Sequence, residues 1–194
     1  QEVNERYGSK EFLILTYTPN EGMITDTSIN NLLSLKYKIQ SLEWVDSVVT
    51  LLDIPLLNNS EAPLQDRLEN FKTLKDEDVN KDRGFKEIIS SPVFRNFVIS
   101  EDGKTSGVIV YLKKNKPLDN IKNKSKEEIE IYKDQIKKQN HKNIIEIRDV
   151  IKSYENIGKI HLGGIPMIAD DMMTFIKSDI VVFGLGVLLF IIAT

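Results

Sequence analysis

The sequence HLGGIPMIADDMMTFIKSD at residues 161–179 leads directly into an uncharged apolar run at residues 180–194. This run has 15 residues, between the roughly 10 to 14 of a buried core helix and the roughly 20 that a membrane-spanning helix needs. It has no polar side chain before Thr194, and it contains Gly184 and Gly186, a residue type that is more frequent in membrane helices than in soluble ones. We therefore expect the beginning of a membrane span whose remainder lies beyond Thr194.

The residues before the run have the features of a helix start. Gly163 and Gly164 provide a flexible turn, and Pro166 has the fixed φ that suits a first helical position. Asp170 and Asp171 place negative charge near the positive end of the helix dipole. The pattern predicts an unbroken helix from Pro166 onward.

Such a helix, over residues 166–194, would be about 43 Å long. Its polar first half would stand outside the bilayer, and it would enter the hydrocarbon after Asp179. Lys177 and Asp179 would then mark the water interface, with the Lys177 amine extending outward. The alternative is a soluble protein that buries this helix in its core.

Residues 162–180, LGGIPMIADDMMTFIKSDI, resemble the junction between the extracytoplasmic domain and the second transmembrane helix of RND-superfamily exporters. The similarity is to the MMPL and hopanoid-transporter-like branch in particular. A weaker similarity at residues 7–15, YGSKEFLIL, is to the family's first strand after transmembrane helix one. The resemblance implies an extracytoplasmic, porter-like domain at residues 1–163 and the start of transmembrane helix two at residues 164–194.

Composition excludes several classes of protein. A chain of 194 residues with 41% hydrophobic and 28% charged residues has room for one or two folded domains. The net charge of −3 argues against a nucleic-acid binder. The chain has no cysteine, so it has no disulfide, thiolate metal site or thiol nucleophile. Its first residues lack the pattern of a signal peptide, so an extracytoplasmic location implies further sequence upstream.

Strand-like segments occur along the whole chain. They are rich in β-branched and aromatic residues and are bounded by turn residues. Asp102-Gly103 predicts a type I′ turn between two strands of a hairpin. The predicted strands are residues 12–18, 45–52, 97–100, 105–112 and 159–162.

Helical spacing of apolar residues occurs between these strands. We expect Gly158 to end the last of these helices in the left-handed conformation. Residues 58–97 read as a helical insertion and residues 120–142 as a helical arm. The predicted helices are residues 25–42, capped by Thr25 or Asp26, 64–74, 85–97 with a break at Pro92, 125–138 and 143–156.

Without the insertion, the order of elements is βαββαβ, the ferredoxin-like split unit, in an α+β fold.

Residues 113–142 contain ten lysines and five acidic residues. Such mixed charges usually form a solvated helix face, and the alternative is a surface for lipid headgroups or an acidic partner.

No catalytic residue, cofactor site or metal site is predicted, and we do not expect an enzyme. His141 and His161 have no carboxylate or second histidine at ligand spacing. Asp170 and Asp171 are adjacent on the predicted helix, where side chains point about 100° apart, so they do not form a paired site. Gly163-Gly164 is a turn signal and not a phosphate loop.

The function therefore depends on the resemblance. It implies a proton-driven exporter of hydrophobic or lipid-like molecules in a bacterial inner membrane, with this domain facing the periplasm or cell exterior and the proton-relay residues beyond Thr194. The implied partners are the lipid bilayer, the remainder of the transporter chain and the substrate; a homo-oligomer is left open.

Four apolar side chains at the membrane boundary are candidates for the substrate path, because methionine adapts to varied apolar ligands. They are Met167, Met172, Met173 and Phe175. The alternative is that they pack the long helix against the domain. Two other functions stay open, namely a membrane-anchored sensor or ligand-binding module and a soluble enzyme with a buried carboxy-terminal helix.

Overall fold

Helices and strands combine in an α+β fold. The structure, a computed structural model, describes residues 11–58, 65, 71–114 and 125–193. Residues 64 and 66–70 of the predicted helix at 64–74, residues 120–124 of the predicted arm, residues 7–10 and Thr194 lie outside the described residues. Within them the chain forms β1 (Phe12–Pro19), α1 (Asp26–Gln40), β2 (Val45–Thr50), α2 (Lys81–Ser90), β3 (Ser106–Leu112), α3 (Lys126–Ser153), β4 (Gly158–Gly163) and α4 (Ile165–Ala193).

The four strands form one sheet in the order β2-β3-β1-β4. Every neighbouring pair is antiparallel, and Leu15 on β1 lies opposite Val108 on β3 and Leu162 on β4. Alternate side chains of a strand point to opposite faces of the sheet. Leu13 and Leu15 are therefore fully buried on one face of β1, while Phe12 on the other face is 44% exposed.

The core lies between the sheet and the helices α1 and α3. Thr25 caps α1 by accepting a hydrogen bond from Ser28 N, as the sequence predicts. Both helices contribute apolar side chains to the same buried cluster as the strands. Each such side chain contributes about 1.5 to 3 kcal/mol when fully buried. The helix residues in this cluster include Ile29, Leu32, Leu35, Ile39, Ile144, Ile147 and Val150.

The segment between β2 and β3 extends this core. β2 ends at Thr50, two residues earlier than predicted, because Leu51–Asp53 forms a 3-10 helix closed by a capping box between Thr50 and Asp53. α2 begins at Lys81 and ends at Ser90, so the predicted helix at 85–97 is shifted toward the amino terminus and stops before Pro92. Residues 71–74, predicted as helix, are not helical.

The predicted hairpin before β3 is wrong in two respects. Residues 97–100 do not form a strand and make only isolated bridges, one of them between Ile99 and Ser106. A type I′ turn needs positive φ at both central residues, yet only Gly103 has it, at 69°, and Asp102 does not. The buried Ile99 belongs to the core without belonging to the sheet.

α3 is one continuous helix of 28 residues, where the sequence predicted two helices separated at residues 139–143. These polar residues include no proline or glycine, and their helix-propensity cost is below about 1 kcal/mol each. Gln139 Nε2 donates to Asn143 Oδ1 at 2.8 Å, one turn further on. Asn140 Nδ2 donates to the Pro166 carbonyl oxygen of α4 at 2.9 Å.

The prediction that Gly158 caps α3 is wrong, because Gly158 is the first residue of β4. The helix ends at Ser153 and is followed by the 3-10 helix Glu155–Ile157. Gly158 is needed because β1 passes close by. A Cβ at this position would overlap the Thr18 carbonyl oxygen and lie 2.9 Å from the Pro19 Cα.

α4 follows β4 after the single residue Gly164, whose φ of 124° is readily adopted only by glycine. The helix has 29 residues and is therefore about 43 Å long. Its apolar window has a mean hydropathy of 2.3 and is 0% buried in the protein. α4 is thus not a core helix of this domain, although its first turns lie against α3.

Candidate functional site

The α3–α4 junction is the place where the folded domain holds the apolar helix. It consists of Asn140, His141 and Arg148 on α3 and Pro166, Asp170 and Asp171 on α4.

His141 and Asp170 form the inner contact of this junction. His141 Nδ1 lies 2.9 Å from Asp170 Oδ1 and 3.1 Å from Asp170 Oδ2. The Asp170 side chain is 7% exposed, while that of His141 is 51% exposed. A carboxylate this well buried needs a hydrogen-bond partner, and the imidazole supplies one from the solvent side. The junction therefore covers a charge that α4 alone would leave in water.

Arg148 and Asp171 form the outer contact. Arg148 Nη2 donates to both carboxylate oxygens of Asp171, at 2.8 and 2.9 Å. The two side chains are 45% and 33% exposed, so this pair contributes about 0.2 to 1 kcal/mol. Adjacent carboxylates on α4 thus bind different partners on α3, as expected for side chains about 100° apart.

Sequence spacing could not find these contacts. No carboxylate stands at ligand spacing from His141 in the sequence, and its hydrogen-bond partner Asp170 lies 29 residues away in the chain. His161, by contrast, is exposed on β4. The described residues contain no group of three or more His, Cys, Asp or Glu side chains that could hold a metal ion.

The four candidates for a substrate path lie on different sides of α4. Met167 is half-buried and packs against the core. Met172 and Phe175 are 58% and 68% exposed, and Met173 is 38% exposed. Only Met172 and Phe175, three positions apart, share a helix face.

Lys177 and Asp179 are both exposed. They are the last charged residues of α4 before the apolar half.

A second cluster of charges ties the insertion to α1. The Asp53 carboxylate accepts hydrogen bonds from Lys36 Nζ and, at 3.0 Å, from Lys75 Nζ. It also accepts from Thr50 N at 2.8 Å and from Thr50 Oγ1 at 2.9 Å. Burial alone would raise the pKa of the Asp53 carboxyl, but the lysine and threonine hydrogen bonds outweigh burial and lower it.

A cavity of about 450 Å³ lies beside α2. Glu87 fixes one side of it, because its carboxylate accepts hydrogen bonds from Leu57 N at 2.7 Å and from Asn58 N at 3.0 Å. The cavity is lined mainly by apolar and hydroxyl side chains. The lining residues are Ile54, Pro55, Leu57, Asn58, Glu87, Ile88, Ser90, Ser91 and Phe94.

The sequence matches no family model and no curated protein. What the chain itself defines is an α+β domain with an antiparallel four-stranded sheet, joined to α4. Of the described helices, α4 alone is long and apolar enough to cross a membrane.

Proposed function

We propose that this chain is the first extracytoplasmic domain, with the start of transmembrane helix two, of an RND-type proton-driven exporter of hydrophobic or lipid-like molecules. The resemblance of residues 162–180 to the corresponding junction in that superfamily supports the proposal. In this proposal the protein resides in a bacterial inner membrane, and the domain faces the periplasm or the cell exterior. It carries no catalytic residue of its own.

We further propose that the fold is the ferredoxin-like split unit of a porter subdomain. Once α2 is set aside, the order of elements is βαββαβ. The strand order β2-β3-β1-β4 with antiparallel neighbours supports this assignment, since it brings β1 and β3 together at the centre and places α1 and α3 over the sheet.

The observation that carries the proposal is the construction of α4. Its first turns are held by the domain at the α3–α4 junction, and its second half is an exposed apolar cylinder. Eleven Ile, Val, Leu and Phe side chains lie between residues 180 and 192, and their insertion into lipid is worth roughly 3 to 7 kcal/mol in total. Water is a poor solvent for such a surface, and a bilayer is a suitable one.

The contact between α3 and α4 also gives the domain a role in the proposed transport. In an exporter, transmembrane helices move as protons pass, and the external domains move with them. Because α4 has no proline after Pro166 and is held by α3, a tilt of its membrane half is transmitted to the domain. Met172 and Phe175, which are 58% and 68% exposed, remain the substrate-path candidates.

The decisive experiment is to determine the sequence and topology of the full-length protein. We expect about twelve membrane spans and a second, duplicated external domain. A protein with a single span would contradict the exporter proposal. Since this chain has no cysteine, labelling of single cysteines introduced at His161 and Leu189 reports location. A thiol reagent that cannot cross the membrane should reach position 161 from outside and should not reach position 189.

The second candidate is a membrane-anchored sensor or ligand-binding module, and the cavity beside α2 favours it. Its size falls within the range of roughly 300 to 1,000 Å³ that small-molecule sites occupy. This function predicts a short cytoplasmic or signalling segment after the span and saturable binding of a small molecule. If Phe94→Ala abolishes this binding and the normal protein shows no transport, the sensor or ligand-binding module is favoured over the exporter.

A further inference from the structure

The sheet has a second face, opposite the core. Alternate residues of a strand point to opposite faces, and Leu13, Leu15 and Tyr17 of β1 lie in the core. The residues between them therefore point to the other side, here called the outer sheet face, and the pairing register extends it to the neighbouring strands. It consists of Phe12, Ile14, Thr16 and Thr18 of β1, Gly107, Ile109 and Tyr111 of β3, Ser47 and Val49 of β2, and Lys159, His161 and Gly163 of β4.

The outer sheet face is apolar at one end of the strands. Phe12 lies opposite Tyr111, and the centres of the two rings are 6.3 Å apart. In the next row, Ile109 lies opposite both Ile14 and Val49. Phe12 and Ile14 are 44% and 36% exposed. These five side chains, here called the apolar end, fill two adjacent rows across β1, β3 and β2.

The other end of the same face is polar. Thr16 lies opposite His161, and Thr18 lies opposite Lys159. Both β4 side chains are exposed, and the Thr18 hydroxyl shares a hydrogen bond of 2.8 Å with that of Thr105. The outer sheet face therefore has a direction along its strands.

α4 begins at the apolar end. Gly163, the last residue of β4, lies opposite Ile14. A Cβ on the next residue, Gly164, would lie 3.1 Å from the Phe12 carbonyl oxygen, and α4 starts at Ile165. The apolar helix therefore leaves the domain at the same end of the sheet at which the outer face is apolar.

A second copy of this chain matches the outer sheet face in one orientation. A two-fold interface brings the same surface of both copies together. With the axis parallel to the strands and between the central strands β1 and β3, the apolar end of one copy meets the apolar end of the other. An axis across the strands would set the apolar end against the polar one. The parallel axis also starts both α4 helices at one end of the dimer, as two spans in one membrane require.

The size of the face indicates where such a dimer is stable. Four strands of about seven residues cover about 19 Å by 23 Å, or about 440 Å². Phe97, which is 66% exposed, borders this area, because its carbonyl oxygen would lie 3.0 Å from a Cβ on Gly107. A stable interface buries roughly 800 Å² per partner. Free domains should therefore pair weakly, whereas copies held in one membrane meet at a much higher effective concentration.

We propose that the outer sheet face is the contact between two copies of this chain in the membrane, about a two-fold axis parallel to the strands. This inference rests on the proposed membrane span of α4. Sheets packed face to face lie about 10 Å apart, so Phe12 and Ile14 on β1 of each copy pack against β3 of the other. The contact covers apolar side chains that a single copy exposes to water.

Cysteine cross-linking of the full-length protein tests the proposal, in phosphatidylcholine vesicles at a low ratio of protein to lipid. Because this chain has no cysteine, any cysteine elsewhere in the protein is first replaced by serine. Thr16→Cys places a thiol on β1 beside the axis, about 11 Å from the same position of the second copy. Thr27→Cys is the matched control, since Thr27 is an exposed threonine of α1, on the core side of the sheet. We expect a short bis-maleimide to convert several-fold more of Thr16→Cys into covalent dimer.

A second pair of variants tests the apolar end. Ile14→Lys, added to Thr16→Cys, sets two ammonium groups against each other near the axis and should abolish the cross-link. Ile145→Lys is its control, because Ile145 is 46% exposed on α3, and it should leave cross-linking unchanged. Urea unfolding of each variant verifies that the domain is folded, and the comparison of positions 16 and 27 does not depend on these variants.

Equal cross-linking at positions 16 and 27, or cross-linking that survives Ile14→Lys, refutes the dimer contact. The span is tested separately by Leu189→Cys and a thiol reagent that cannot cross the membrane. If position 189 is shielded while position 16 does not cross-link, the dimer contact is refuted and the span stands. If position 189 reacts, the span itself is refuted, and the membrane dimer with it.

Discussion

Replacement of Asp53 by asparagine should destabilise the domain by about 3 kcal/mol, far more than an exposed ion pair contributes. The carboxylate receives hydrogen bonds from Lys36, Lys75 and Thr50. It connects three parts of the chain, namely α1, the end of β2 and the insertion. The substitution removes the negative charge and leaves two ammonium groups near one another.

The magnitude follows from the burial of the partners. Removing one member of a buried ion pair costs about 3 to 5 kcal/mol, because the remaining charge is left without compensation. The Lys36 side chain is 11% exposed and that of Asp53 is 20% exposed, so this pair is close to a buried ion pair. Lys75 is 33% exposed and turns to water more easily. We therefore expect a cost at the lower end of the range of about 3 to 5 kcal/mol. A second reason is that the asparagine amide oxygen still accepts the Thr50 hydrogen bonds.

The pH dependence has a definite sign. The pKa of Asp53 is lowered in the folded state, because its hydrogen bonds outweigh burial. A carboxyl whose folded pKa lies below its unfolded value of about 3.9 stabilises the fold above that pH, and this contribution is lost as the pH falls through the folded pKa. Acidification from neutral pH to below pH 4 should therefore reduce the free energy of unfolding more in the normal protein than in Asp53→Asn.

Urea unfolding followed by the fluorescence of Trp44, the single tryptophan, measures both effects. The matched control is Asp78→Asn, because Asp78 also pairs with a lysine but is 68% exposed. The control should change the free energy of unfolding little, because an exposed ion pair contributes little to stability. Equal effects of the two substitutions at neutral pH would refute the claim that the Asp53 cluster acts as a buried ion pair.

Three further substitutions are informative. Tyr17→Phe should leave the free energy of unfolding unchanged or raise it slightly, because the buried Tyr17 hydroxyl makes no close hydrogen bond and burial, which raises its pKa, outweighs the weaker effects of Asn31 and Ser28; a loss above about 1 kcal/mol in urea unfolding would contradict this. Gly158→Ala should lower the thermal midpoint markedly, since a Cβ overlaps the Thr18 carbonyl oxygen, and unaltered melting would contradict that geometry. The double substitution His141→Ala and Arg148→Ala should leave the sheet folded by circular dichroism but broaden the distance distribution between spin labels on α3 and α4, and an unchanged distribution would show that the junction does not hold α4.

Much of the fold could be predicted because its signals are local. The apolar segment that became β1 and the helix capped by Thr25 are specified by neighbouring residues. The class of fold and an exposed apolar helix at the end of the chain follow from the same patterns. It was harder to predict that α3 is one continuous helix, because the polar residues 139–143 weaken the helix pattern. A contact with α4 through Asn140 supports the helix there.

The candidate site could not be predicted, since it depends on which helices meet. His141 and Asp170 come together only because α3 and α4 pack against each other. The segment at residues 97–100 looked like a strand because Val98 and Ile99 are apolar. They are buried in the hydrophobic core instead, where core packing and not strand pairing accounts for their hydrophobicity.

The two carboxylates at the α3–α4 junction also determine the rotational setting of α4 about its own axis. A single contact would let the helix turn around it, whereas Asp170 and Asp171, anchored to separate residues of α3, restrain two directions about 100° apart. α3 is itself packed on the sheet through Ile144 and Ile147. The domain therefore fixes the rotation of the apolar half of α4 about the helix axis. In the proposed membrane span, the domain outside the bilayer would thus decide which sides of that half meet acyl chains and which remain available to neighbouring helices.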